Sequence, residues 1–185
     1  MQEKEYKFLL PKDDFCNLYI MFSNKYINSV KEHKIQINYY YDTSSLSFHK
    51  QHITVRIRQD DSGLLGQFKK HHLCSTFSDE SNFDVDALPQ TMFVNSCELE
   101  LQGELVTMRD SIIISSDLRL DFDTNYYLGI NDFELEIEYS NNNTRELKEV
   151  LQAMKDFVQC KYGKSTRFFQ KSNCNNAIKL GVEYE

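Results

Sequence analysis

Glu3, Glu5 and Lys7 alternate near the start of the chain, and Glu134, Glu136 and Glu138 alternate near its end. Successive side chains of a β-strand point to opposite faces, so each run gathers its charges on one face. Tyr6 and Phe8 back the first run, and Phe133, Leu135, Ile137 and Tyr139 back the second. Stacked like charges repel unless something positive sits among them, and a divalent cation is one candidate. Further alternations carry positive charge: Arg56 with Arg58, Lys69 opposite Phe68, and Arg109 opposite Met108. Arg119, Asp121 and Asp123 share one face of a mixed run, and Lys164 with Arg167 supplies a basic pair near the C-terminus. Carboxylates suit hard, oxygen-seeking Mg²⁺, while Arg and Lys suit phosphate oxygens. A site holding both is suited to a polyphosphate carried by a metal ion.

These side chains need strands to aim them. The pattern predicts strands over 2–10, 35–42, 53–60, 64–72, 104–114, 117–124, 132–140 and 163–170. Eight antiparallel strands can close into a barrel, which removes exposed edges. A helix is expected after Pro11, with Phe15, Leu18, Tyr19 and Phe22 at helical spacing. A second is expected from near Asn143, whose third successor is Glu146, with Leu147, Val150, Leu151, Met154 and Val158 on one face. Asp60-Asp61-Ser62-Gly63 reads as a turn between strands, and 75–86 reads as a polar, mobile loop. Asn141-Asn142-Asn143 is too brief to divide domains, so a single domain over 1–185 is expected. The fold expectation is α+β, mainly β, with flanking helices.

Each charged run has a plainer reading. Antiparallel sheets carry solvated faces on which charges alternate with core residues. Glu98 and Glu100 read that way, and Arg119 and Arg167 read singly as structural or solvent-facing residues. His33, His49, His52, His71 and His72 lack a metal-ligand spacing. No glycine-rich phosphate loop of the Walker type is present, so phosphates would be held by side chains.

Composition narrows the class. In 185 residues, 13 phenylalanines and 11 tyrosines can fill a core without tryptophan. The net charge of −7 argues against general nucleic-acid binding, so any basic groove must be local. Cys16, Cys74, Cys97, Cys160 and Cys174 form no Cys-x-x-Cys pair, which points to a reducing cytoplasm without structural zinc or a disulfide framework. No stretch is apolar and long enough to span a bilayer.

Taken in order, the motifs resemble the CYTH, or triphosphate tunnel metalloenzyme, superfamily in its bacterial triphosphatase-like branch. Glu3-x-Glu5-x-Lys7 resembles the family signature, Tyr41-Asp42-Thr43 its strand end, and Arg56-x-Arg58 its arginine pair. Lys69 is similar to the lysine of the following strand, although Gln-Phe-Lys stands where Thr-Leu-Lys is usual. Gly103-x-Leu105-x-Thr107-x-Arg109 resembles the bacterial Gly-x-Leu-x-Thr-x-Arg. Asp123, Tyr127-Leu128-Gly129 and Glu134-x-Glu136 resemble the second acidic half, and Lys164 with Arg167 and Phe168 the closing lysine strand. Glu138 extends the usual pair to three, and Asp123 fits the family spacing better than Asp121.

The resemblance implies a closed triphosphate tunnel and a hydrolase dependent on Mg²⁺ or Mn²⁺. Arg56, Arg58, Lys69, Arg109 and Lys164 would grip phosphate oxygens, and Glu3, Glu5, Asp123, Glu134 and Glu136 would hold metal. Lys7, Glu5 and Arg58 would act at the phosphate under attack. Inorganic triphosphate is the first substrate expected, with thiamine triphosphate and nucleoside triphosphates next. The rival readings are a class IV-type adenylate cyclase and a non-catalytic polyphosphate-binding module. Neither a nucleic acid nor a membrane is an expected partner, and the protein would be a monomer or homodimer.

Overall fold

In a computed structural model of the chain, residues 4–71 and 78–179 are described. Nine strands dominate the described residues. They are β1 (Lys4–Leu10), β2 (Val30–Asp42), β3 (Ile53–Asp60), β4 (Gly63–His71), β5 (Ser78–Phe83), β6 (Thr91–Val94), β7 (Cys97–Ser115), β8 (Leu118–Tyr127) and β9 (Ile130–Tyr139). The helices are α1 (Lys12–Lys25), α2 (Ser47–Lys50), α3 (Arg145–Ala153) and α4 (Lys164–Lys179). The hydrogen-bonded order is β1-β9-β8-β7-β2-β3-β4-β5, with β6 paired to β7 outside that path. The α+β, mainly antiparallel expectation holds. The count of eight does not, and among the described residues no ladder joins β1 to β5 to close the sheet.

Two compact units partition the chain. The first comprises residues 1–35, 107–126 and 130–161. Its core is built from the inward residues of β1, β8 and β9 (Phe8, Leu120, Phe122, Leu135, Ile137) beneath Phe15, Leu18 and Phe22 of α1 and Leu147 and Val150 of α3. Edge-to-face contacts of Phe122 with Phe15 and Tyr19 seat α1 on the strands. Period two does the sorting here. Burying Leu135 and Ile137 through one face of β9 presents Glu134, Glu136 and Glu138 on the other.

The second unit comprises residues 36–106, 127–129 and 162–185. Two apolar clusters fill it. One gathers Tyr40, Leu46, Leu105, Tyr127, Phe168 and Phe169, and the other Tyr41, Phe48, Val55, Ile57 and Leu99. Asp42 is fully buried at the end of β2, where its carboxylate accepts from the backbone N–H groups of Thr43, Phe48 and His49. The bonds from Phe48 and His49 satisfy donors at the start of α2 that have no partner within the helix.

Several expectations need correction. Residues 163–170 are not a strand but the start of α4. Arg167, Phe168 and Phe169 are buried in succession, which a half-exposed strand cannot do and a helix can, and Arg167 N donates to Gly163 O to open it. Part of the expected loop over 75–86 is β5, a polar strand pairing with β4 from Gly66↔Phe83 to His71↔Ser78. A polar sequence suits such an edge. The helix expected from near Asn143 is capped by Thr144, whose hydroxyl accepts from Leu147 N, and it ends at Ala153, leaving Val158 87% exposed. The strand expected over 104–114 begins at Cys97, because Asn95 and Ser96, both at positive φ, turn β6 back onto it.

Tight turns set the register that the site requires. Leu128 and Gly129, with φ of 48° and 77°, join β8 to β9 in a two-residue hairpin. This returns the chain so that the carboxylates of β8 and β9 lie on adjacent strands. On its other side β9 pairs with β1, placing Lys7 opposite Glu136 and Glu5 opposite Glu138.

Candidate active site

The first unit holds a continuous network of opposite charges. Lys7 Nζ lies 3.1 Å from Glu5 Oε1 and 3.1 Å from Glu136 Oε1. Backbone pairing along both edges of β1 fixes Lys7, since β9 lies on one side and Cys160 N donates to Lys7 O at 2.7 Å. Arg109 of β7 reaches the same Glu136, donating from Nη2 to Oε2 at 2.6 Å. Its Nε and Nη2 also grip Asp123 in a two-point clasp at 2.7 and 2.6 Å, and its Nη1 donates to Asp121 at 2.7 Å. This fork of donors matches the carboxylate in a way that a lysine could not.

Burial makes the network strongly coupled. Asp121 and Asp123 are fully buried, and the Arg109 side chain is 13% exposed. Burial alone would lower the guanidinium's pKa, but Asp123, Glu136 and Asp121 outweigh it and raise the pKa well above the usual arginine value. Burial pushes the carboxyls of Asp121 and Glu138 up, against the pull of the neighbouring arginines. Arg119 closes the cluster, donating to Asp121 at 3.1 Å and Glu138 at 2.5 Å. Breaking one partner out of such a buried set typically costs about 3–5 kcal/mol, because the other charge is left uncompensated.

Two groups of carboxylates have the chemistry of a hard-cation site. Oxygens of Asp123, Glu134 and Glu136 lie within 4.8 Å of one another, and so do those of Glu5, Glu136 and Glu138. All are oxygen donors, the set that Mg²⁺ and Mn²⁺ prefer, and Glu136 belongs to both groups. Glu3, expected beside Glu5, lies outside the described residues. Glu138 joins the constellation as a member of the second group.

The remaining basic candidates belong to the second unit. Arg56 and Arg58 project from the same face of β3 as Thr54. Arg56 Nε donates to Gln67 at 2.9 Å and Arg58 Nε to Asn38 at 3.2 Å, each across a strand pair. Arg56 makes no ion pair with the described residues. Lys69 pairs across the sheet with Glu80. Lys164 opens α4 beside Ser165, which accepts from Thr54 Oγ1 at 3.1 Å. Arg167 is buried and donates to Tyr162 O, a structural placement.

Residues bonded to these side chains within each unit were not singled out in the sequence. Ser111, Asn38, Gln67 and Glu80 orient charged partners, and Ser111 could have been found because it stands two positions from Arg109 on the same face of β7. Thr107 donates to Asn125 in a buried bond, and Asn125 in turn donates to the half-buried Asp132, tying β7 to β8 and β9. Glu98 and Glu100 are exposed, as expected of a solvated face. His33 pairs with Asp110 at an exposed position, His49 stacks on Phe169, and His72 lies outside the described residues.

This fold and charge arrangement define the class. A CYTH domain model matches residues 1–169, and the chain belongs to the CYTH domain family. Solved structures agree on the fold. A putative adenylate cyclase from Bacillus halodurans shares 22% identity over 91% of this chain and 100% of its own, with a TM-score of 0.66. A putative adenylyl cyclase from Hippeastrum, described as having a dominant triphosphatase activity, shares 16% identity over 99% and 98%, with a TM-score of 0.65. The Mimivirus capping enzyme triphosphatase shares 12% identity over 83% and 89%, with a TM-score of 0.56. No curated protein sequence matches the chain significantly. No helix among the described residues is long and apolar enough to cross a membrane.

Proposed function

We propose that the protein is a Mg²⁺- or Mn²⁺-dependent triphosphatase of the cytoplasm that cleaves the terminal phosphoanhydride of inorganic triphosphate or a small organic triphosphate. The observation that carries this reading is the convergence of buried Asp123, Glu134 and Glu136 in one family-typical oxygen-donor group, beside the cationic Lys7 and Arg109. A bound divalent cation would neutralise charge on phosphate oxygens and favour an attacking hydroxide. Asp123, Glu134 and Glu136 would hold it, with Glu5 and, by the family signature, Glu3 beside them.

The basic side chains supply the grip. Arg56, Arg58, Lys69, Arg109 and Lys164 are assigned to the triphosphate oxygens, in the tunnel arrangement that the family resemblance implies. Arg58 and Lys7 would stabilise the charge that builds on the phosphoryl group as it is transferred, and Glu5 would keep Lys7 oriented toward it. Positioning and electrostatics do most of the work in phosphoryl transfer, so no cysteine or serine nucleophile is required.

The test is a substrate panel with products identified. Triphosphate should give phosphate and pyrophosphate, and pyrophosphate should accumulate. ATP, where cleaved, should give ADP and phosphate. Cyclic AMP and pyrophosphate from ATP would instead establish a cyclase. Nitrophenyl phosphate offers only one phosphoryl group and forfeits the binding energy of the remote ones, so it should turn over poorly. Comparable efficiency on that monoester would contradict the proposal.

A further inference from the structure

Asp121 and Asp123 stand two residues apart on β8, and both are fully buried and bound to Arg109. Their surroundings differ. Asp123 belongs to the oxygen-donor group with Glu134 and Glu136, and Asp121 belongs to neither such group. Both oxygens of Asp121 are engaged, Oδ1 by Ser111 Oγ at 2.5 Å and Oδ2 by Arg109 Nη1 at 2.7 Å and Arg119 Nε at 3.1 Å. Arg119 is itself held by Glu138. Asp121 is therefore the centre of a small bracket made of Ser111 from β7 and Arg119 from β8.

The consequence concerns Arg109. Two of its three carboxylate partners, Asp123 and Glu136, are candidate cation ligands, and Asp121 is not. A cation taking oxygens of Asp123 and Glu136 would compete with the guanidinium for them. Asp121 is the partner that Arg109 would keep.

We infer that Asp121, fixed by Ser111 and Arg119, is a positioning residue that anchors Arg109 through Nη1 so that its remaining donors can turn to a phosphate. The inference rests on the triphosphatase reading, because it assigns Arg109 a phosphate to bind. Asp121 works through Arg109 and touches neither cation nor substrate.

A double-mutant cycle tests this, with kcat/KM on inorganic triphosphate measured at saturating Mn²⁺ for the native chain, Asp121→Asn, Arg109→Gln and the double variant. Asp121→Asn should lower kcat/KM by at least about tenfold in the native background, and by less than about twofold when Arg109 is already Gln. Ser111→Ala, which removes one bond of the bracket and no charge, should show a smaller loss with the same dependence on Arg109. It serves as the reporter if Asp121→Asn fails to fold. An equal loss in both backgrounds would mean that Asp121 acts independently of Arg109, and would overturn the inference while leaving the triphosphatase reading intact.

A second readout does not need turnover. Arginine side-chain NMR of the metal-free protein should show restricted Nη1 protons on Arg109, the pair that faces Asp121. These should average out in Asp121→Asn and broaden in Ser111→Ala, while the Nη2 protons held by Asp123 and Glu136 stay restricted. Freely rotating Nη1 protons in the native chain, or Nη1 protons that stay restricted in Asp121→Asn, would overturn the inference. Absence of triphosphate turnover in the native chain would sink the triphosphatase reading, and the NMR result would still decide whether Asp121 holds Arg109.

Discussion

Arg58 illustrates how much the chemistry depends on side-chain shape as well as charge. Its Nε donates to Asn38 across the β2–β3 pair, which fixes the guanidinium plane. A lysine would keep the charge and lose both that anchor and the paired donors. Arg58→Lys should therefore lower kcat/KM on triphosphate by more than about tenfold, equivalent to about 1.4 kcal/mol of transition-state stabilisation. Unchanged kinetics would remove Arg58 from the phosphate grip. His49 makes a different kind of prediction. It stacks on Phe169 with ring centroids 4.8 Å apart, and burial lowers its pKa below the ordinary histidine range. As pH falls, the unfolded chain takes up this proton first. The stabilisation from neutral His49 is thus complete above about pH 6.5 and is lost as pH falls through the folded pKa. An NMR titration of the imidazole should give a midpoint below about 6.5, and a midpoint above it would contradict the burial argument.

At the scale of elements, period two made the site legible and nonlocal pairing hid the rest. Lys7, Asp123, Glu134 and Glu136 could be read because each stands beside an apolar residue that the core claims, and Arg109 because it shares a face of β7 with Thr107 and Ser111, both buried. Asp121 shares the spacing of Asp123, and what separates their roles is Ser111 and Arg119, neighbours that only the folded sheet supplies. The Lys164 segment looked extended because charge and aromatic residues alternate weakly there, while its two adjacent phenylalanines, buried against Tyr40 and Tyr127, belong to a helix. The β5 strand carries a single apolar residue, Phe83, too little to make an alternation, and exists through its pairing with β4. Gly103 offers a sharp test of such nonlocal constraint. It sits within β7 at φ 140°, and a Cβ there would lie 3.0 Å from the Phe168 ring. Gly103→Ala should destabilise the protein by about 1–3 kcal/mol through backbone strain and crowding. A urea midpoint equal to that of the native chain would show that Phe168 and the backbone yield freely.

For the whole molecule, the CYTH match spans residues 1–169, and the acidic network links β1, β7, β8 and β9. We propose that these carboxylates hold a catalytic cation. Lys7, Arg109 and Arg119 already pair with these carboxylates, so a loss of stability on removing one would fit a structural role equally well. Metal dependence separates the two roles. The direct measurement is phosphate release from inorganic triphosphate by protein stripped with EDTA and then titrated with Mg²⁺ or Mn²⁺. The account predicts no turnover in EDTA, full recovery with either ion, and poor support by the larger Ca²⁺, which tolerates looser coordination. Turnover in EDTA equal to that with metal would contradict it.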